Sequence, residues 1–294
     1  MPRTLEDTAV FAAPGVFVVL WASGFIGAKL GTPYAEPMTF LTLRMLAAVG
    51  LLGLLVLASR PAWPAGAGFL HNAVAGLLVH GLYLGGVFVA LDQRMPAGLV
   101  ALMVSLQPVF ISTIANRWLG ERVILRQWAG LALGLAGVFL VVQGKTGGDT
   151  TLLGWGAAVV ALFGITVGTL YQKRFGGGAD WRPSFLIQYL AAGALFAVGA
   201  LLFETRGVRW TPEFVFALGW LVLVLSFGAV WLLYFLIARS ASTRLASLFY
   251  LTPPFTALMA YALFDERLAP LALAGLVVSA VGVFLVNWRI GHMR

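Results

Sequence analysis

The sequence predicts an all-α polytopic membrane protein: ten transmembrane helices arranged as two inverted five-helix repeats. Three observations predict it. Of the 294 residues, 61% are hydrophobic and only 10% charged, with a mean hydropathy of +0.94; a soluble domain carries roughly 25% charged residues. Apolar runs of about 20 residues, the length that crosses a bilayer, recur ten times between breaks at Pro, Gly and charge. The stretch from Arg94 to Val141 also recurs, by one constant offset and without a gap, at Arg239 to Val286.

The repeat is the strongest of the three. Pro108 meets Pro253 and Phe110 meets Phe255. Glu121-Arg122 meets Glu266-Arg267, and the block from Gly137 to Val141 meets the block from Gly282 to Val286. A shared bias towards Leu, Ala and Val produces scattered matches, but it does not bring a proline, a Glu-Arg pair and paired glycines into one register. The repeat divides the chain into residues 1–145 and 150–294.

In order, the runs of the first half are roughly 14–31, 38–59, 69–91, 96–116 and 126–143. Those of the second are 152–173, 183–204, 213–238, 243–264 and 269–288. Pro96, Pro183 and Pro212 stand at run starts, where a missing N–H costs nothing. Gly176-Gly177-Gly178 reads as a flexible turn; a phosphate cradle would need a following helix with Lys and Ser or Thr. The first run follows a mixture of Arg3, Glu6 and Asp7, unlike the n-region of a signal peptide. Cysteine is absent, which excludes disulfides, Cys-ligated zinc and thiol chemistry. The net charge of +8 is scattered singly between apolar runs. That pattern fits loops facing anionic lipid and not nucleic acid.

Loop charges set the orientation. With the N-terminus in the cytoplasm, twelve Lys and Arg lie inside and five outside, leaving aside Lys29 and Arg44. Both termini are therefore expected to be cytoplasmic, in a bacterial-type inner membrane. Five helices is an odd number, so the second copy must insert upside down relative to the first. Inverted repeats are a common plan of secondary transporters, with the substrate near the midplane at the repeat interface.

At this point the residues resemble a known family. Each half carries a Pro-bearing helix, a Glu-Arg turn and a Gly-rich final helix. The blocks Gln107-Pro108 through Leu119-Gly120-Glu121-Arg122 and Thr252-Pro253-Pro254 through Phe264-Asp265-Glu266-Arg267 resemble the two EamA-type domains of the drug/metabolite transporter superfamily. Trp21-Ala22-Ser23-Gly24 resembles the family's opening motif, while its counterpart Leu162-Phe163-Gly164 departs from it. Within the superfamily the sequence resembles the YddG amino-acid exporters. The resemblance implies a central cavity, alternating access and export, and it brings Trp21 into the candidate site.

Ionisable groups inside a membrane are costly and are functional candidates by default. His80 lies near the middle of the third run, Arg44 in the first third of the second, and Lys29 near the end of the first, where it reads as an interface anchor. Arg44 either faces a cavity or snorkels to the interface. No Asp or Glu falls mid-run. The repeat offset pairs His80 with Leu225, Tyr83 with Gly228 and Trp231 with Gly86, so these groups are additions to a symmetric scaffold. By spacing, His80, Tyr83 and Val87 share one face, as do Trp231 with Tyr234, Met103 with Gln107, and Ser247 with Tyr250. Kinks at Pro108 and Pro253-Pro254 free carbonyls that only protein or a wet cavity can satisfy. A cavity is therefore expected among the first, third, fourth, sixth, eighth and ninth runs. The glycines at 130, 134, 137, 275 and 282 are expected to permit close helix packing.

The expected function is a secondary transporter exporting amino acids, aromatic and other neutral ones, or related metabolites. The alternative is broad efflux of aromatic drugs and organic cations such as methyl viologen, which would rest on aromatic faces. A membrane enzyme would need convergent acids, bases or metal ligands, and the chain offers only His71, His80 and His292 with no mid-run carboxylate. No enzyme activity, cofactor, metal or nucleic-acid partner is expected; the expected partners are a small-molecule substrate and membrane lipid, with no obligatory protein partner.

Overall fold

The computed structural model describes residues 5–95, 97–118, 123–143, 151–176, 180–239, 242–264 and 270–287. The helices are α1 (Leu5–Gly31), α2 (Pro37–Ser59), α3 (Ala67–Asp92), α4 (Ala97–Val104), α5 (Gln107–Trp118), α6 (Leu125–Val142), α7 (Leu152–Phe175), α8 (Trp181–Phe203), α9 (Pro212–Ala238), α10 (Ser242–Ser247), α11 (Thr252–Phe264) and α12 (Pro270–Asn287). Among the described residues, seven stretches are long and apolar enough to cross a membrane: Ala12–Gly31, Pro37–Ser59, Ala67–Asp92, Leu152–Phe175, Trp181–Phe203, Pro212–Ala238 and Leu245–Leu263. The other three expected runs fall on α4 with α5, on α6 and on α12. Large apolar side chains such as Leu57, Phe203 and Leu263 point outwards, as a lipid-facing surface requires. The chain is an integral membrane protein. The Glu121-Arg122 and Glu266-Arg267 turns, Gly177 and Gly178 lie outside the described residues.

Helix starts follow local chemistry. Pro37 and Pro212 open α2 and α9. Thr151 Oγ1 accepts from Gly154 N at 3.1 Å and Thr211 Oγ1 from Phe214 N at 3.3 Å, which satisfies free N–H groups of the first turns. Asp180 caps α8 by accepting from Arg182 N at 2.9 Å. Hydrogen bonds from the Arg182 side chain hold the Asp180 carboxyl below the usual carboxylate range. That contribution is therefore present above an ordinary aspartate pKa and is lost as pH falls through the lowered value.

α2 is capped from a distance. Glu36 at its N-cap makes no side-chain cap bond. Instead Glu204, just past α8, accepts from Met38 N and Thr39 N at 2.7 Å each and from Thr39 Oγ1 at 2.8 Å. A carboxylate at a helix N-terminus meets both free donors and the positive end of the dipole. Bonds to a charged acceptor contribute about 1.5–3 kcal/mol, so Glu204→Ala is expected to lower the unfolding free energy by about that amount. Thermal unfolding in detergent checks this. The same end of the molecule joins the α1–α2 and α8–α9 loops: Thr205 Oγ1 donates to Glu36 Oε2 at 2.7 Å and Arg209 N to Tyr34 O at 2.9 Å. At the end where α3 begins and α7 finishes, His71 Nδ1 lies 2.7 Å from Tyr171 Oη and its ring stacks on Phe175.

Irregular winding recurs in register. α3 contains a π-helical segment, Leu77–Leu82, and α9 another, Leu221–Ala229. The offset that carries Arg94 to Arg239 carries 77–82 to 222–227, inside the second segment. The same holds for the breaks ahead of the prolines. α4 ends at Val104 and α5 starts at Gln107, with a turn over Ser105 and Leu106; α10 ends at Ser247 and α11 starts at Thr252, after a 3₁₀ turn over Leu248–Leu251. Pro108 and Pro253 each become the second residue of a new helix, where the ring fits. The chain thus breaks just ahead of each proline instead of bending at it.

Glycines set the closest contacts. α6 lies along α12, and a Cβ at Gly130 would stand 2.7 Å from Gly282 O, one at Gly137 2.4 Å from Ser279 N, and one at Gly282 2.4 Å from Gly134 N. α3 is held in the same way: a Cβ at Gly76 would meet Gln188 Cα at 2.5 Å, and one at Gly86 would meet Ala157 O at 2.4 Å. Contacts follow the repeat. α2 packs on α8 and α6 on α12; α3 packs on α7 as α9 packs on α1; α5 packs on α7 as α11 packs on α1.

Candidate functional site

α1, α2, α3 and α9 form the walls of a cavity of about 40 Å³, lined among others by Trp21, Arg44, His80, Tyr83, Val87 and Leu225. It sits beside both π segments, the kind of winding that frequently marks functional sites in helices. His80 lies inside the π segment of α3, Tyr83 directly follows it, and Leu225 lies in that of α9.

One wall is aromatic. Trp21 and Tyr83 stack with ring centres 5.9 Å apart and planes at 12°, and Phe249 meets the Trp21 ring edge-on at 5.4 Å. Phe17 adds a further contact at 5.1 Å. The wall ties α1 and α3 to the 3₁₀ turn of the second half. The polar side is built on Arg44, 3% exposed, whose Nε donates to Ser226 Oγ at 3.2 Å. Ser226 Oγ in turn donates to Leu221 O at 3.1 Å, five residues back, as π winding allows, and the Tyr189 hydroxyl donates to Ser226 O. The His80 ring, 2% exposed, meets Tyr189 edge-on at 4.8 Å. Behind it runs a chain of amide and phenol bonds: Tyr234 Oη donates to Gln188 Oε1 at 2.6 Å and Gln188 Nε2 to Asn72 Oδ1 at 3.1 Å.

Two lining groups are left over. Trp21 Nε1 and His80 Nε2 are buried without a hydrogen-bond partner of good geometry. Buried polar groups are normally satisfied; the Tyr83 hydroxyl lies near the one and the Gln188 amide near the other, and both keep bonding capacity towards the cavity.

The structure brings Trp21, Arg44, His80 and Tyr83 together and does not bring in the rest of the expected set. Trp231 is 41% exposed and pairs with Phe235 on the outer face of α9. Tyr234 turns inwards to Gln188, so the expected shared face does not exist. Both lie on the regular turns after the π segment, where three positions leave them about 60° apart around the axis, enough for one to face outwards and the other inwards. Met103 packs half-buried against the core, and Gln107 is spent on α7, donating to Ile165 O at 3.3 Å and Thr169 Oγ1 at 3.2 Å. Ser247 and Tyr250 are fully buried away from the cavity, and Tyr250 lies over Gly134. The turn at Ser105–Leu106 and the 3₁₀ turn at Leu248–Leu251 rotate these residues off the face that continuous helices would present. Phe249 occupies the position against Trp21 instead.

Gln188, Tyr189 and Ser226 were not among the expected residues. A signal for one was present: the repeat offset pairs Tyr189 with Arg44, and both reach Ser226. Charge draws attention to Arg44, whereas a tyrosine in an apolar run reads as ordinary packing.

The geometry can be set beside known proteins. The profile of the EamA-like transporter family matches residues 11–143 and again 152–288. An uncharacterized transporter, YvbV, of Bacillus subtilis is 27% identical over 300 residues, 98% of this chain and 93% of that one. An uncharacterized inner membrane transporter, YedA, of Escherichia coli is 27% identical over 95% of this chain and 90% of its own. A probable amino-acid metabolite efflux pump of Escherichia coli is 25% identical over 92% and 94%. A solved crystal structure, 20% identical, shares the fold with a TM-score of 0.76 over 95% of this chain and 96% of that one. Two profile matches that together take in nearly all of the spanning helices make this chain a member of the EamA-like transporter family, within the drug/metabolite transporter superfamily.

Proposed function

We propose that this protein is a secondary transporter that exports amino acids, aromatic and other neutral ones, or related metabolites from the cytoplasm. It works by alternating access through a central cavity between two inverted five-helix repeats, residues 1–145 and 150–294, with both termini cytoplasmic. The observation that carries this reading is the cavity between α1, α2, α3 and α9, where unpartnered polar groups meet a stacked aromatic wall in mid-membrane.

Three further facts support it. Contacts, π segments and proline-linked breaks recur by the repeat offset. Two relatives are named as probable amino-acid metabolite efflux pumps. The cavity is also of a size that demands motion. At about 40 Å³ it has room for a few waters and not for an amino acid. An amino acid enters only if α1 and α9 part from α3, and the irregular segments lie where such parting bends the helices. The site is ill suited to a permanent cation: among the described residues no carboxylate lines it and a guanidinium does, so overexpression is expected to give no resistance to methyl viologen.

The test is counterflow in proteoliposomes with a panel of labelled amino acids, with and without a pH gradient. Saturable flux competed by aromatic or neutral amino acids is expected; no flux above empty vesicles for any of them would refute the substrate class. His80→Ala is expected to cut that flux on the order of tenfold, the equivalent of about 1.4 kcal/mol of lost interaction. Flux in the variant equal to the parent would remove His80 from the site.

A further inference from the structure

Arg44 is a cation with no anion beside it among the described residues. It is 3% exposed in the middle of four helices and reaches the cavity wall. A guanidinium stays protonated at neutral pH and carries five N–H donors. One of them, on Nε, is used by Ser226 Oγ. The Nη1 and Nη2 groups make no hydrogen bond among the described residues. Nor does a carboxylate approach. The described carboxylates near membrane-spanning helices all stand at helix ends: Glu36 and Asp180 ahead of α2 and α8, Asp92 at the end of α3, Glu204 past α8 and Glu213 in the first turn of α9. The groups facing Arg44 across the cavity are phenol, indole and imidazole.

A buried charge without a partner costs several kcal/mol, and proteins retain one where a ligand completes it. The surplus here is of donors: two Nη groups on Arg44, whose Nε alone is engaged, and the Trp21 indole N–H, which has only the Tyr83 hydroxyl near it. A carboxylate matches it. Its two oxygens take the guanidinium fork side by side, with geometry as well as charge favouring the pair. An ammonium group finds no anion in the same cavity.

Building on the transport reading above, we infer that the cavity takes its substrate by the carboxylate, held on the Nη groups of Arg44 with the Trp21 indole N–H as a further donor. The substrate class is therefore organic carboxylates with an apolar or aromatic body. The carboxylate is required and the amino group is not. The body lies against the Trp21–Tyr83 wall. Binding neutralises Arg44, which favours closure around the loaded cavity over closure around an unpaired cation.

The test uses the purified full chain in detergent at constant chloride and reads the shift of its thermal unfolding. The probes are phenylalanine, phenylpropionate (no amino group), phenylalanine methyl ester and phenylalaninamide (no carboxylate). The two acids are expected to stabilise at comparable concentrations, and the ester and amide to need at least tenfold more. Arg44→Gln is expected to lose the response to the acids at least tenfold, and Arg44→Lys, a point charge without the fork, to keep part of it. The comparison among probes on the parent protein stands even if a variant does not fold. Equal stabilisation by acid and ester, no stabilisation by either acid, or a full response in a folded Arg44→Gln would each overturn the inference. The same probes as counterflow competitors separate the two readings. Carboxylate-dependent stabilisation without flux would keep the site and refute transport. Flux competed equally by acid and ester would keep transport and refute the carboxylate anchor.

Discussion

A Gly137→Val variant is expected to yield little monodisperse protein. Glycine at this point lets α6 touch the backbone of α12: a Cβ would stand 2.4 Å from Ser279 N, 2.5 Å from Ser279 Oγ and 2.6 Å from Gly275 O. Those neighbours are largely backbone and cannot turn aside as a side-chain tip would. Overpacking a well-filled interior costs typically about 1–3 kcal/mol, and occasionally more. Here two methyl groups come with the Cβ, so the helices must separate along their length. Separation would also break the Ser279 Oγ bond to Gly134 O at 3.3 Å. Gly282→Val meets Gly134 and Gly130 from the other side and should behave alike. The control is Gly50→Val on α2, where nothing lies within 4 Å of the added Cβ. Size-exclusion profiles decide it: equal yields from the Gly137 and Gly50 variants would show that this close approach carries no weight.

Trp21→Ala is expected to lose both stability and transport. The indole is 5% exposed and touches the rings of Phe17, Tyr83 and Phe249. Truncating a buried Trp costs roughly 3–5 kcal/mol. The loss also opens the wall between α1, α3 and the 3₁₀ turn, so the cavity loses its shape as well as one donor. Trp21→Phe separates these effects. It keeps a ring against Tyr83 and removes the N–H, so it should retain most of the thermal stability while weakening carboxylate-dependent stabilisation. A Trp21→Ala protein that melts with the parent and transports normally would refute the keystone role.

Much of the scaffold is legible in the residues. Composition makes a membrane protein inevitable, because so few charges cannot clothe a soluble surface. Proline positions mark the breaks, and a gapless repeat predicts where irregular structure will recur. The glycines at 130, 134, 137 and 282 sit where helix packing needs them. The site was legible where a residue was chemically conspicuous on a regularly wound stretch: Arg44 and Trp21 in continuous helices, His80 and Tyr83 on a face whose spacing survived the π segment. It was illegible where facing depends on packing or on a local change of winding. Trp231, three residues from the inward-facing Tyr234 on the same regular helix, faces outwards. Tyr250 lies in a 3₁₀ turn and faces α6, not the cavity.

The sequence by itself determined the class of protein, the helices, their breaks and the presence of one arginine and one histidine among apolar residues, because these arise from local composition and from covalent properties of Pro and Gly. Only the tertiary structure decided that Arg44 faces the cavity instead of snorkelling to the interface, that Tyr189 and Ser226 stand beside it, and that no carboxylate among the described residues does. Which way a side chain points depends on accumulated helical phase and on which neighbour fills the opposing space. Both are sums over many residues distant in sequence, and neither is written at the position itself.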